Sequence, residues 1–94
     1  MNKKDILDLL IQNKSKLKNS YGLKSIALFG SFAREEATNK SNIDILVDIT
    51  PSFQNLYNLK LELEKLLKNR VDLVTQNSLR SYIKEKIKKD LVYV

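Results

Sequence analysis

This 94-residue chain contains no cysteine and no histidine. Without cysteine there is no disulfide framework, no thiolate metal site and no cysteine nucleophile. Without histidine a Ser-His pair and the commonest zinc sites are excluded. Both absences fit a reducing compartment. Long apolar runs are also missing; the longest are a few residues, far short of the ~20 that span a bilayer. The N-terminal stretch "MNKKDILDLLIQNK" has neither a long apolar segment nor a small-residue cleavage site, so no signal peptide is expected. The sequence therefore predicts a soluble, cytoplasmic protein, and its length predicts one domain over residues 1–94.

Charge is abundant and uneven. The formal net charge is +6. Residues 1–29 carry six Lys against two Asp, and residues 60–94 carry nine Lys/Arg against five Asp/Glu. Between them, residues 30–59 hold Arg34 and Lys40 against Glu35, Glu36, Asp44 and Asp48. An acidic island thus interrupts a basic chain. Lysines of this kind keep a small domain soluble or attract a polyanion; the acidic island is the more specific feature.

Glycine occurs only at positions 22 and 30, and proline only at 51. Each falls at an expected break. Ile6, Leu9, Leu10 and Leu17 recur at helical spacing over 3–19, with Asn2 as N-cap, Asp5 in the first turn and Gly22 as the stop. "KSIALF", 24–29, reads as a buried strand. Residues 32–37 read as a short helix with Ser31 near its start, and 38–41 as a turn. "NIDILVDI", 42–49, reads as a strand with Ile43, Ile45 and Val47 on one face and Asn42, Asp44, Leu46 and Asp48 on the other. Pro51 and Ser52 open a helix over 53–68 with Leu56, Leu59, Leu63, Leu66 and Leu67 inward and Asn69 closing it. "RVDLVT", 70–75, reads as a strand. Asn77 or Ser78 caps a last helix, 79–90, with Leu79, Ile83, Ile87 and Leu91 inward. The tail "LVYV" is either a fourth, edge strand or a docking segment, and the four tyrosines read as core-edge residues. The alternation predicts an α/β (α+β) fold, a small mixed sheet of three or four strands with helices packed on it.

The stretch "ALFGSFAREEATNKSNIDILV" carries the chemistry. A strand ends in Gly30-Ser31, and eleven residues after Ser31 the next strand opens with Asn42-Ile43-Asp44. Gly30, lacking a Cβ, admits a phosphate close to the backbone, and Ser31 offers a hydroxyl and an amide there. Asn42 and Asp44, at i and i+2 on a strand, point the same way and suit a metal ion that takes oxygen ligands, such as Mg²⁺. Asp72 sits in an otherwise apolar strand, where a lone carboxylate is costly to bury. If that strand lies beside 42–49, Asp72 joins Asp44; otherwise it is a strand-end residue bonded to backbone. Asp48, about 13 Å beyond Asp44 at ~3.3 Å per residue, reads as a strand-end surface group. Arg34 either meets a phosphate or pairs with a neighbouring Glu on the surface.

With these residues in place the chain resembles the minimal nucleotidyltransferases of the polymerase β-like superfamily. Their pattern, G-S-x10-D-x-D, often runs GSxARGEAxxxSDIDLLV. Here it stands as Gly30-Ser31, ten residues, then Asn42-Ile43-Asp44; "VDLVT" matches the strand of the third carboxylate, and the resemblance spans nearly the whole chain. It implies that Gly30, Ser31 and Arg34 hold a triphosphate, and that positions 42, 44 and 72 are catalytic and bind two Mg²⁺ ions. It also implies transfer of AMP from ATP to a hydroxyl, with a tyrosine of a HEPN-domain toxin as acceptor in antitoxin members. Two positions depart from the pattern. The first motif Asp is Asn42, which brings an oxygen but no charge. The usual Gly after the Arg is Glu35.

Three functions follow. The first is an Mg²⁺-dependent nucleotidyltransferase antitoxin. The second is a catalytically weakened module of the same fold that neutralises a HEPN partner by contact. The third is a nucleic-acid binder, disfavoured because no aromatic stacking cluster or RNA-binding motif is present. A protein partner or self-association is expected, because the apolar tail finds no obvious place in a three-stranded core.

Overall fold

A computed structural model describes residues 1–50 and 52–94. The expectation that Pro51 helps to open a helix lies outside the described residues.

Helix α1 (Lys3–Tyr21) starts with a reciprocal cap: Asn2 Oδ1 accepts from the Asp5 amide at 2.9 Å, and Asp5 Oδ2 accepts from the Asn2 amide at 3.2 Å. It stops where Gly22 turns left-handed (φ 65°). Strand β1 (Leu23–Phe29) follows, then helix α2 (Gly30–Ala33) and strand β2 (Ile43–Ile49). Helix α3 (Phe53–Leu67) is capped by Ser52, whose hydroxyl accepts from the Asn55 amide. Strand β3 (Val71–Thr75), a 3₁₀ turn (Gln76–Ser78), helix α4 (Ser81–Ile87) and strand β4 (Val92–Tyr93) complete the chain. Among the described residues no helix is long and apolar enough to cross a membrane.

The four strands form one mixed sheet in the order β3-β2-β1-β4, in agreement with the expected class. β1 runs antiparallel to both β2 and β4, whereas β2 and β3 are parallel, joined through α3. α1 and α3 cover one face. Ile6, Leu10 and Leu17 from α1 and Leu59, Leu63 and Leu67 from α3 meet Ile26, Leu28, Ile43, Ile45, Val47 and Val71, all essentially inaccessible. Each such side chain contributes about 1.5–3 kcal/mol by leaving water. Strand alternation then sends Asn42, Asp44, Leu46 and Asp48 to the opposite face.

The local readings differ from the structure in five places. α2 begins at Gly30 and is over by Ala33, because Glu35 adopts the left-handed conformation (φ 61°). α3 closes at Lys68, also left-handed (φ 52°), rather than at Asn69. The last helix is shorter than 79–90: Ser78 Oγ donates to the Thr75 carbonyl at 2.9 Å, so this segment forms a 3₁₀ turn, and Arg80 precedes α4 without a side-chain cap. Tyr57, Tyr82 and Tyr93 are more than half exposed, not at the core edge, whereas Tyr21 packs against the core. The tail forms the fourth, edge strand, one of its two readings, which overturns the expectation that it finds no place in the core. Val92 and Tyr93 pair with Leu28 and Ala27, the Val94 amide donates to the Ile26 carbonyl at 3.1 Å, and Val94 packs on the core. The tail therefore gives no argument for a partner.

Candidate active site

The site forms where β1 ends against the start of β2. Phe29 lies opposite Asp44 in the antiparallel register. The chain then turns through Gly30 with φ 76°, a conformation that costs other L-residues about 1–2 kcal/mol. A Cβ at Gly30 would collide with Asp44 Oδ2 and lie 2.9 Å from its Cγ. Glycine is needed here for both space and conformation. Ser31 follows in the same turn, half-buried, and its carbonyl accepts from the Glu36 amide at 2.8 Å.

Asp72 arrives through the parallel pairing. The Ile43 amide donates to the Arg70 carbonyl at 2.9 Å, and Glu64 Oε2 accepts from the Val71 amide at 3.0 Å. These bonds secure the start of β3, and Asp44 is then the register partner of Asp72 on one sheet face. Asn42 Nδ2 donates to Asp72 Oδ2 at 3.3 Å. Asn42, Asp44 and Asp72 thus converge beside Gly30-Ser31. Asp72 is nonetheless exposed, because β3 is an edge strand; the burial cost that singled it out in the sequence does not apply. Asp48 lies elsewhere, opposite Ser25.

Electrostatics set Asp44 apart. Its pKa is raised to about 6, first by partial burial, then by the Asp72 charge and a hydrogen bond with Asp72, with Arg34 acting in the opposite sense. Arg34 Nη1 reaches Asp90 Oδ2 at 2.6 Å and Nε reaches Glu36 Oε2 at 3.3 Å. The expected Arg–Glu pair therefore exists, and Asp90 is added to it. The sequence reading missed Asp90, whose signal is one acidic residue after "KIKK" and directly before the apolar tail.

Among the described residues no group of three or more His, Cys, Asp or Glu is placed to hold a metal. The donors present are two carboxylates and one amide. They fit a hard divalent cation such as Mg²⁺, which takes oxygen ligands and leaves room for phosphate and water. The raised Asp44 pKa reflects partial burial first and the neighbouring Asp72 carboxylate second, and a bound cation would relieve both.

On the second sheet face, Leu46 lies next to this site. There the 3₁₀ turn and α4 border a half-open pocket of about 420 Å³, lined by Leu46, Gln76, Leu79, Ile87, Leu91 and Tyr93 among others.

Comparison with known proteins agrees with this geometry. The family described as Polymerase beta, Nucleotidyltransferase matches residues 5–94. A Methanocaldococcus jannaschii protein, described provisionally as a protein adenylyltransferase, is 46% identical over 93 residues, covering 96% of this chain and 95% of the relative. Protein adenylyltransferase MntA of Thermococcus cleftensis is 40% identical over 92 residues, covering 96% and 93%. Among solved structures, a toxin-antitoxin with AMP-PNP superposes with a TM-score of 0.70 at 26% identity, covering 99% of this chain and 72% of that one. A tri-AMPylated Shewanella oneidensis HEPN toxin in complex with MNT antitoxin gives 0.60 at 26% identity, covering 98% and 67%. The chain belongs to the polymerase beta nucleotidyltransferase family, and its relatives are protein adenylyltransferases of the minimal nucleotidyltransferase kind.

Proposed function

We propose that this protein is the antitoxin of a HEPN toxin and acts on it by Mg²⁺-dependent transfer of AMP from ATP to a hydroxyl, most simply a tyrosine. The observation that carries the reading is the convergence of Asp44 and Asp72 on one sheet face, directly against the Gly30-Ser31 turn. Relatives named as adenylyltransferases and a toxin-antitoxin neighbour with AMP-PNP support it.

In this reading Gly30 gives the Asp44 carboxylate room against the turn, and Ser31 and Arg34 hold the triphosphate oxygens. Asp44, Asp72 and the Asn42 amide oxygen would hold Mg²⁺, which supplies charge stabilisation at the phosphates and lowers the pKa of the attacking hydroxyl. The acceptor oxygen bonds to the α-phosphorus, the bond to the β-phosphate bridge breaks, and pyrophosphate leaves with its electron pair. The hydroxyl proton passes to solvent water, since Asp44 is committed to the cation. Positioning supplies much of such catalysis, so the shared face matters more than any single group.

A second reading is kept by one observation. Asn42 is uncharged and donates to Asp72, so this site has a carboxylate fewer than the family pattern. The protein would then neutralise its partner by contact. Incubation with α-labelled ATP, Mg²⁺ and the partner toxin separates the two. Label on the toxin that disappears in Asp44→Asn supports transfer. Neutralisation without label, unchanged in Asp44→Asn, supports contact.

A further inference from the structure

We propose that Asp90 is a positioning residue that holds Arg34 in place to receive a nucleotide phosphate; this rests on the nucleotide-binding reading above. Asp90 lies 56 residues from Arg34 in sequence, yet its Oδ2 is 2.6 Å from Arg34 Nη1. Among the described residues the pair is shorter, and its acid less exposed, than the other ion pairs. Lys4–Asp8, at 3.7 Å, has side chains 85% and 50% exposed, the ordinary surface pair of little consequence. The Asp90 side chain is only 16% exposed and Arg34's is 44% exposed.

Asp90 is itself anchored. Its amide donates to the Ile87 carbonyl at 2.9 Å, and two residues later Val92 and Tyr93 pair with β1, the strand that leads into Gly30. The carboxylate is therefore fixed relative to the motif turn. Glu36 takes Nε from the other side at 3.3 Å. Among the described residues no partner engages Nη2, so one edge of the guanidinium fork stays available while two anchors hold its plane. A five-donor planar group fixed at the end of the short helix that starts at Gly30 can meet a phosphate without first ordering a long side chain.

The test is titration of ATP with Mg²⁺ by calorimetry, with thermal melts showing that each variant is folded at the assay temperature. Asp90→Ala is expected to weaken ATP binding about fivefold, the scale of ordering one long side chain. Asp90→Asn, which keeps an acceptor, is expected to lose less. In an Arg34→Ala background, Asp90→Ala is expected to change nothing further. A merely structural Asp90 would lower the melting temperature and leave the dissociation constant of the folded variants alone; that result overturns the proposal, as do losses that add independently in the double variant. If Asp90→Ala does not fold, the same comparison is made with Asp90→Asn. A wild-type chain that does not bind ATP overturns the nucleotide-binding reading as well, whereas tight wild-type binding with unaltered Asp90 variants overturns this inference alone.

Discussion

Gly30 and Asp44 are packed so closely that the glycine has no room for a side chain: its missing Cβ would occupy the space of the Asp44 carboxylate. The contact joins the Gly30-Ser31 turn to the acidic strand. Gly30→Ala is therefore expected to do two things. The left-handed backbone and the collision destabilise the fold by about 2 kcal/mol or more. Displacement of Asp44 abolishes Mg²⁺-dependent ATP binding. A thermal melt and a nucleotide titration measure both, and an Ala variant with native stability and affinity would refute the packing argument.

Titration of Asp44 gives a pH signature. Its pKa in the fold, about 6, lies above the ordinary value of 3.8. The folded state therefore binds more protons between these values, so the metal-free protein loses stability as pH rises from about 4 to about 6. The expected change is about 1–2 kcal/mol, since partial exposure screens the group. Denaturant midpoints measured across this window should fall with rising pH. In Asp44→Asn the slope should largely vanish, and saturating Mg²⁺ should oppose it in the wild type.

Asn42→Asp should move stability and function in opposite directions. The amide donor to Asp72 is lost and a third carboxylate joins the pair, so the metal-free protein should melt lower by several degrees. With Mg²⁺ the added charge should tighten ATP binding and raise transfer. Asp44→Asn, which removes the remaining motif carboxylate, should reduce transfer by orders of magnitude. Equal transfer in the wild type, Asn42→Asp and Asp44→Asn would show that chemistry occurs elsewhere.

Two non-glycine residues adopt positive φ, Glu35 at 61° and Lys68 at 52°. Both are exposed, so replacement leaves no cavity. Glycine relieves about 1–2 kcal/mol of backbone strain and gives back about 0.4–1 kcal/mol through a freer unfolded chain. Glu35→Gly and Lys68→Gly should each stabilise by about 0.5 kcal/mol, or about 2–4 °C in melting temperature. The two sites belong to different elements, so the gains should add.

Several site features were written locally in the sequence. Gly30-Ser31 and Asn42-Ile43-Asp44 are fixed in spacing, and the alternation of 42–49 already put Asn42 and Asp44 on one face. Leu59, Leu63 and Leu67 announced the buried side of α3 by helical periodicity alone. Such features depend on residues a few positions apart, where backbone geometry dictates direction. Tertiary structure decided the rest. Asp72 could have faced either way until the parallel β2–β3 register made it the partner of Asp44. The tail became β4 only because β1 offered a free edge. Arg34 met Asp90 because β4 brought the end of the chain back beside the motif turn. Pairing across 28 or 56 residues depends on which strand edges and carboxylates the packed core leaves within reach, and no local period encodes that.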